Sequence, residues 1–177
     1  VLALARAPLP SARILGLDPG SRITGFGVVD VGEGEPTYVA SGAVRAQGGD
    51  FAARLREIFT GVHALVREYR PTEVAIERVF VNRNPDSALK LGQARGAALS
   101  ATFGCEAAVF EYSPREIKLG VVGTGAAEKT QVQRMVVTLL GIEGKLGADA
   151  ADALAVALCH AHGRATRHAL ALGGAAS

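Results

Sequence analysis

Four carboxylates in this 177-residue chain stand where carboxylates are costly: Asp18, Glu77, Asp149 and Asp152. Asp18 ends the apolar run Ile14–Leu15–Gly16–Leu17 and precedes Pro19–Gly20–Ser21. Glu77 lies in the apolar stretch Glu73 to Val81. Asp149 and Asp152 are three apart in a segment apolar nearly all round, Asp149 to Leu158, so they project from one side of a buried helix. A buried carboxylate needs a partner or a metal. Four together repel, and most would hold protons at neutral pH. A divalent cation relieves that repulsion, and oxygen ligands without His or Cys favour Mg²⁺ or Mn²⁺. Two such ions, about 3.5–4 Å apart, can clamp the attacking and leaving oxygens of a phosphodiester without a covalent nucleophile. For Asp149, a second reading is an acid that simply complements the helix dipole.

The basic residues suit a phosphate substrate. Lys129 stands in a helix first turn, where the dipole disfavours a cation, and a phosphate there would be held by free N–H groups and the lysine together. A solvated surface lysine is the plainer reading. Lys118 lies shortly before it, and Arg78 and Arg83 flank the stretch after Glu77. Phe80 is either an exposed ring that stacks on a base or a strand-end core residue. His160 and His162 stand near the end of the last helix, where one could approach the metal site; capping the helix C-terminus is the expected role.

The elements that must position these groups can be read from the pattern. Three strands, Ile14–Asp18, Thr24–Val31 and Thr37–Val44, are joined by short turns and expected to be antiparallel neighbours. Asp50 caps a helix with the apolar stripe Phe51, Leu55, Ile58, Phe59, Val62, Leu65, Val66 and Tyr69. The crossover then delivers a fourth strand, Glu73–Val81, parallel to the first. Asp86 or Ser87 is expected to cap the next helix, running to about Phe103, with a small-residue ridge on Ala88, Gly92, Gly96 and Ser100. Each helical glycine costs about 1 kcal/mol against alanine, so the ridge implies a close neighbour, either the sheet or another subunit. A fifth strand, Ala107–Glu111, precedes a short helix from Ser113–Pro114, a loop at Val121–Gly125, a helix stopped by Gly141 and a last helix from about Asp149 to Ala161. The fold class is α/β, a mixed five-stranded sheet with helices on both faces.

The formal net charge is +2, and committing four acids to one site leaves +6 elsewhere, a balance that permits nucleic-acid binding. Cys105 and Cys159 have no metal or redox spacing and read as core residues in a reducing compartment. No apolar run is long enough to span a membrane, and a cytoplasmic protein is expected. Residues 1–12 read as a disordered extension, 13–163 as the domain and 164–177 as a flexible tail.

Several blocks taken together resemble the bacterial RuvC family of Holliday-junction resolvases. They are Ile14–Leu15–Gly16–Leu17–Asp18–Pro19–Gly20–Ser21, Ala75–Ile76–Glu77–Arg78–Val79–Phe80, Asp86 through Gly96, Ala127–Glu128–Lys129 and Asp149 through Ala155. The resemblance spans roughly Arg13 to Gly163. It implies a ribonuclease-H-like fold, a homodimer, and Mg²⁺- or Mn²⁺-dependent paired nicking of four-way junction DNA, with the branch-migration proteins RuvA and RuvB as partners. The family's catalytic acids fall on Asp18, Glu77, Asp149 and Asp152. Its functional lysines fall on Lys118 and Lys129, and its base-contacting aromatic on Phe80. Arg78 stands where other members can carry Gln. A phosphotransferase using Asp18–Pro19–Gly20–Ser21 to cradle ATP would need a second phosphate loop, for which Val121–Gly125 is poor. A non-catalytic junction binder would not need four acids.

Overall fold

The computed structural model describes residues 10–78 and 84–174. Ten elements follow in order: β1 (Ala12–Asp18), β2 (Ile23–Val31), β3 (Thr37–Arg45), α1 (Phe51–Tyr69), β4 (Glu73–Glu77), α2 (Pro85–Ser100), β5 (Ala108–Tyr112), α3 (Pro114–Val122), α4 (Lys129–Leu140) and α5 (Ala148–Gly174). The strands form one sheet in the order β3-β2-β1-β4-β5. β1 pairs antiparallel with β2, and β2 with β3; β1 pairs parallel with β4, and β4 with β5. The expected mixed sheet is therefore the observed one.

Alternation along the strands divides the core. Leu15, Leu17, Val28, Val74 and Ile76 pack under α1 and α2, while Ile14, Val29, Ala75 and Tyr112 pack under α3, α4 and α5. Period-two geometry then sends Asp18, Glu73 and Glu77 to the α5 side as well.

Local chemistry sets the helix ends. Asp50 caps α1 by accepting from Ala53 N–H at 2.7 Å. The α2 cap is Asn84, not Asp86 or Ser87; Asn84 Oδ1 accepts from both of their N–H groups and Pro85 takes the first turn. Ser113 and Glu116 form a reciprocal capping box on α3. Val121 and Val122 belong to the last turn of α3, and Gly123 ends it at φ 83°. β4 stops at Glu77, short of the expected Val81. Its neighbours run out there: β1 turns at Pro19, and β5 gives way to the Ser113 cap. Phe59 leaves the expected apolar stripe; it is 42% exposed and stacks on His63.

α2 faces the sheet through Ala94, Ala98 and Ala101, not through its glycine ridge. A Cβ at Gly92 or Gly96 would meet nothing within 4 Å. The sheet is therefore not the neighbour that the ridge requires.

Candidate active site

β1 ends at Asp18, β4 ends at Glu77, and their parallel pairing brings both to one edge of the sheet. α5 crosses that edge on a seat of glycines. A Cβ on Gly16 would fall on the carbonyl oxygen of Ala153, one on Gly25 on that of Asp149, and one on Gly27 on the Leu154 side chain. Only backbone without side chains lets the helix lie this low. The depth of that seat decides how far Asp149 and Asp152 stand from Asp18.

Asp18, Glu77, Lys118, Lys129 and Asp152 line one cleft of about 430 Å³. Asp149 stands beside it and lines a neighbouring hollow under the 141–147 linker, yet its charge reaches Asp18 and Lys129. A larger hollow, about 840 Å³, surrounds Arg13 and Asp30 at the opposite edge of the sheet. Those two residues neutralise each other through paired 2.8 Å contacts, so that hollow offers no free charge of theirs.

The charge state of the cleft follows from burial and crowding. Burial raises the Asp18 carboxyl above its usual range, and the charges of Asp152 and Asp149 add to this; a hydrogen bond with Glu77 and the charge of Lys129 oppose it. Burial, then the neighbouring Asp18, push Glu77 up to about 8. The crowding of two carboxyls therefore favours the protonated form of Glu77. Asp152 has a different partner. Lys129 Nζ lies 2.5 Å from Asp152 Oδ2, and Gln133 Nε2 lies 3.4 Å from Oδ1. Lys129, its side chain 65% exposed, pairs with an acid of the cleft.

Among the described residues, no three His, Cys, Asp or Glu side chains form a ready cage for a metal ion. The pairings above account for this, since Asp152 is turned to Lys129 while Asp18 and Glu77 are closed on each other. The donors nevertheless fit a divalent cation. They are all oxygens, and the proton and ammonium now separating them do what such an ion would do.

Lys118 is half-buried on α3 at the cleft wall. Arg78 is exposed and turns away, with Nη2 donating to Glu111 O at 3.2 Å. Phe80 and Arg83 lie outside the described residues. Two residues were not singled out from the sequence: Gln133, and Arg95, whose Nε donates to Glu77 O at 3.0 Å. Gln133 follows Lys129 by four and so shares its helix face, a signal present in the spacing.

His160 and His162 do not cap a helix C-terminus. α5 continues past the expected end at Ala161 to Gly174. His160 is fully buried: its Nε2 lies 2.6 Å from Glu73 Oε2 and its Nδ1 lies 2.6 Å from Tyr112 Oη. Arg167 also donates toward Nδ1 at 3.0 Å. Nδ1 therefore accepts, and a neutral imidazole gives its Nε2–H to Glu73. Arg164 binds Glu73 with Nε and Nη2, adding a reason for the helix to continue. His162 Nδ1 lies 2.8 Å from Gly120 O.

The profile of the family described as "Crossover junction endodeoxyribonuclease RuvC" matches residues 14–160. A relative of that description from Methylococcus capsulatus is 54% identical over 154 residues, covering 87% of this chain and 93% of its own. Among solved structures, Thermus thermophilus RuvC superposes with a TM-score of 0.79 at 34% identity, covering 88% of this chain and 96% of that one. The same protein in complex with a Holliday junction substrate gives 0.79 at 34% identity, covering 85% and 93%. These likenesses carry the ribonuclease-H-like fold. With the profile spanning most of the sheet and all four acids, the chain belongs to the RuvC family of crossover junction endodeoxyribonucleases.

Proposed function

We propose that this chain is a metal-dependent endonuclease that resolves four-way DNA junctions in homologous recombination and DNA repair. The observation that carries the reading is the cleft at the sheet edge, where Asp18, Glu77 and Asp152 meet beside Lys118 and Lys129. Such a group of carboxylates is a poor arrangement for stability and a good one for holding hard cations.

Asp18, Glu77, Asp149 and Asp152 are the residues that would hold Mg²⁺ or Mn²⁺, two ions per site. Divalent ions held there would supply Lewis acidity, activating a water and stabilising charge on the phosphodiester. The water oxygen bonds to phosphorus while the bond from phosphorus to O3′ breaks. The products are a 5′-phosphate and a 3′-hydroxyl, the latter taking up a proton. Lys129, released from Asp152, is free to meet a phosphate oxygen, and Lys118 reaches the same cleft. Arg78, Arg83 and Phe80 are proposed DNA contacts on the segment after Glu77, the arginines to phosphate and the ring to a base.

The protein works as a homodimer in this reading, so that two sites cut opposing strands of a nearly two-fold junction. The open ridge of Ala88, Gly92, Gly96 and Ser100, with exposed Leu89 on α2 and exposed Phe103 just beyond its end, supports α2 as the contact. RuvA and RuvB are the partners the family implies.

The test is a labelled four-way junction incubated with the protein and Mg²⁺ beside a linear duplex. Symmetric nicks on the junction alone are expected. Asp18→Asn should lower cleavage at least about 10²-fold while junction affinity stays within about threefold. Full nicking by that variant would sink the metal mechanism.

A further inference from the structure

Glu77 closes β4 in register with Tyr112 of β5, but its carbonyl lacks a ladder donor. In the parallel pairing, Gly16 stands opposite Ala75 and Leu17 opposite Ile76, so Asp18 comes opposite Glu77. The residues flanking β4 fix which way its backbone groups face: Arg78 N–H donates to Tyr112 O at 2.7 Å and Ala108 N–H to Thr72 O at 3.2 Å, both on the β5 side, while Thr72 N–H, before the strand begins, goes to Arg13 O of β1. Glu77, one residue before Arg78, therefore turns its carbonyl toward β1. In a parallel ladder such a carbonyl accepts from the residue one beyond its opposite number. For Glu77 that residue is Pro19, which has no N–H. The proline that turns the chain away after Asp18 also leaves Glu77 O without a backbone donor, and a carbonyl at this depth needs one.

Arg95 supplies it from α2. Its Nε lies 3.0 Å from Glu77 O, and its side chain is only 18% exposed. Nη2 lies 3.0 Å from Glu111 Oε1 on β5, at an angle too poor for a hydrogen bond, so that contact is one of charge. Arg78 approaches the other oxygen of Glu111 at 3.9 Å. Glu111 thus steadies the guanidinium while Nε holds the peptide.

We propose that Arg95 is a positioning residue for the cleavage reaction: its Nε–H replaces the N–H that Pro19 lacks and fixes the peptide from which the Glu77 carboxyl reaches Asp18. This rests on the reading of Glu77 as a cation ligand. Arg95 touches no substrate; it acts through the placement of Glu77. It also makes that placement depend on where α2 lies.

The test compares Arg95→Leu, Pro19→Ala and the double variant with the unaltered protein. Junction cleavage is resolved into kcat and KM, and the thermal shift given by Mg²⁺ alone is measured in each. Arg95→Leu should lower kcat about tenfold or more, with KM within about threefold, because a small misplacement of a reacting group is costly. It should also lose most of the Mg²⁺ shift. Pro19→Ala restores an N–H, so the double variant should regain about fivefold in kcat over Arg95→Leu together with part of the shift. Should Arg95→Leu fail to fold, Arg95→Lys, which keeps the charge but not the fork, is expected to show the same kcat loss. Unchanged kcat and Mg²⁺ shift in the Arg95 variants would overturn the assignment. So would a double variant no better than Arg95→Leu while Glu111→Gln matches the Arg95→Leu loss, since the charge contact would then be what matters. If the unaltered protein cuts no junction, it is the nuclease reading that fails.

Discussion

At the scale of single residues, two acids of β4 illustrate how environment assigns roles. Glu73 and Glu77 are four apart on one strand and point to the same face. Glu77 meets other carboxyls and is pushed up to about 8, by burial first and then by Asp18. Burial also acts to raise Glu73, but hydrogen bonds from His160 and Arg164 outweigh it and hold Glu73 down to about 2. One carboxyl is thus crowded by its own kind, the other held by cations and a histidine. The sign for Glu73 follows from linkage. A depressed folded-state pKa gives stability that is complete above the usual carboxylate range and is lost as pH falls toward the folded value. Glu73→Gln should therefore be less stable than the unaltered protein by about 2 kcal/mol at pH 7, allowing for partial exposure. The gap should close between about pH 5 and pH 2. Denaturant melts of both proteins across that range check it, and a gap independent of pH would refute the assignment.

At the scale of elements, α5 is the part on which the site depends. Its N-terminal turns carry Asp149 and Asp152, and its middle carries His160 and Arg164, which hold the foot of β4. The helix is thereby tied to the start of the strand that supplies Glu77. Its height over β1 and β2 is set by Gly16, Gly25 and Gly27. Gly25→Ala places a methyl group on the carbonyl oxygen of Asp149, and neither backbone can give way cheaply. The variant should lose about 2 kcal/mol or more of stability. Cleavage should fall further than junction affinity, because the acids move while the basic residues of α3 and α4 stay. Equal losses in the two would point to general unfolding, which a parallel melt would reveal.

For the whole molecule, the face of α2 that does not touch the sheet is the feature left open. Gly92 and Gly96 weaken a helix by about 1 kcal/mol each without gaining a contact inside the chain. A second copy packed there would offset that. Gly92→Leu should leave the single chain folded, and even firm its helix, because nothing lies within 4 Å of a new Cβ. It should shift sedimentation from dimer to monomer and replace paired nicks with single, uncoordinated ones. A variant that remains dimeric and cuts normally would move the contact elsewhere.

The sequence alone pointed to four acids and determined which strands bring two of them together. Residue type, period-two and helical spacing, and short turns are local properties, and they sufficed for the antiparallel first three strands, for a fourth parallel to the first with Asp18 and Glu77 at one edge, and for the caps at Asp50 and Ser113. Where β4 ends was not legible, because a strand stops when its neighbours do. Nor was the role of His160, whose partners Glu73 and Tyr112 lie 87 and 48 residues away along the chain. Tertiary structure alone decided that Lys129 pairs with Asp152, that Asp18 and Glu77 meet in one cleft, and that Arg95 answers for Pro19. Each depends on close approach between segments far apart in the chain, which local pattern does not encode.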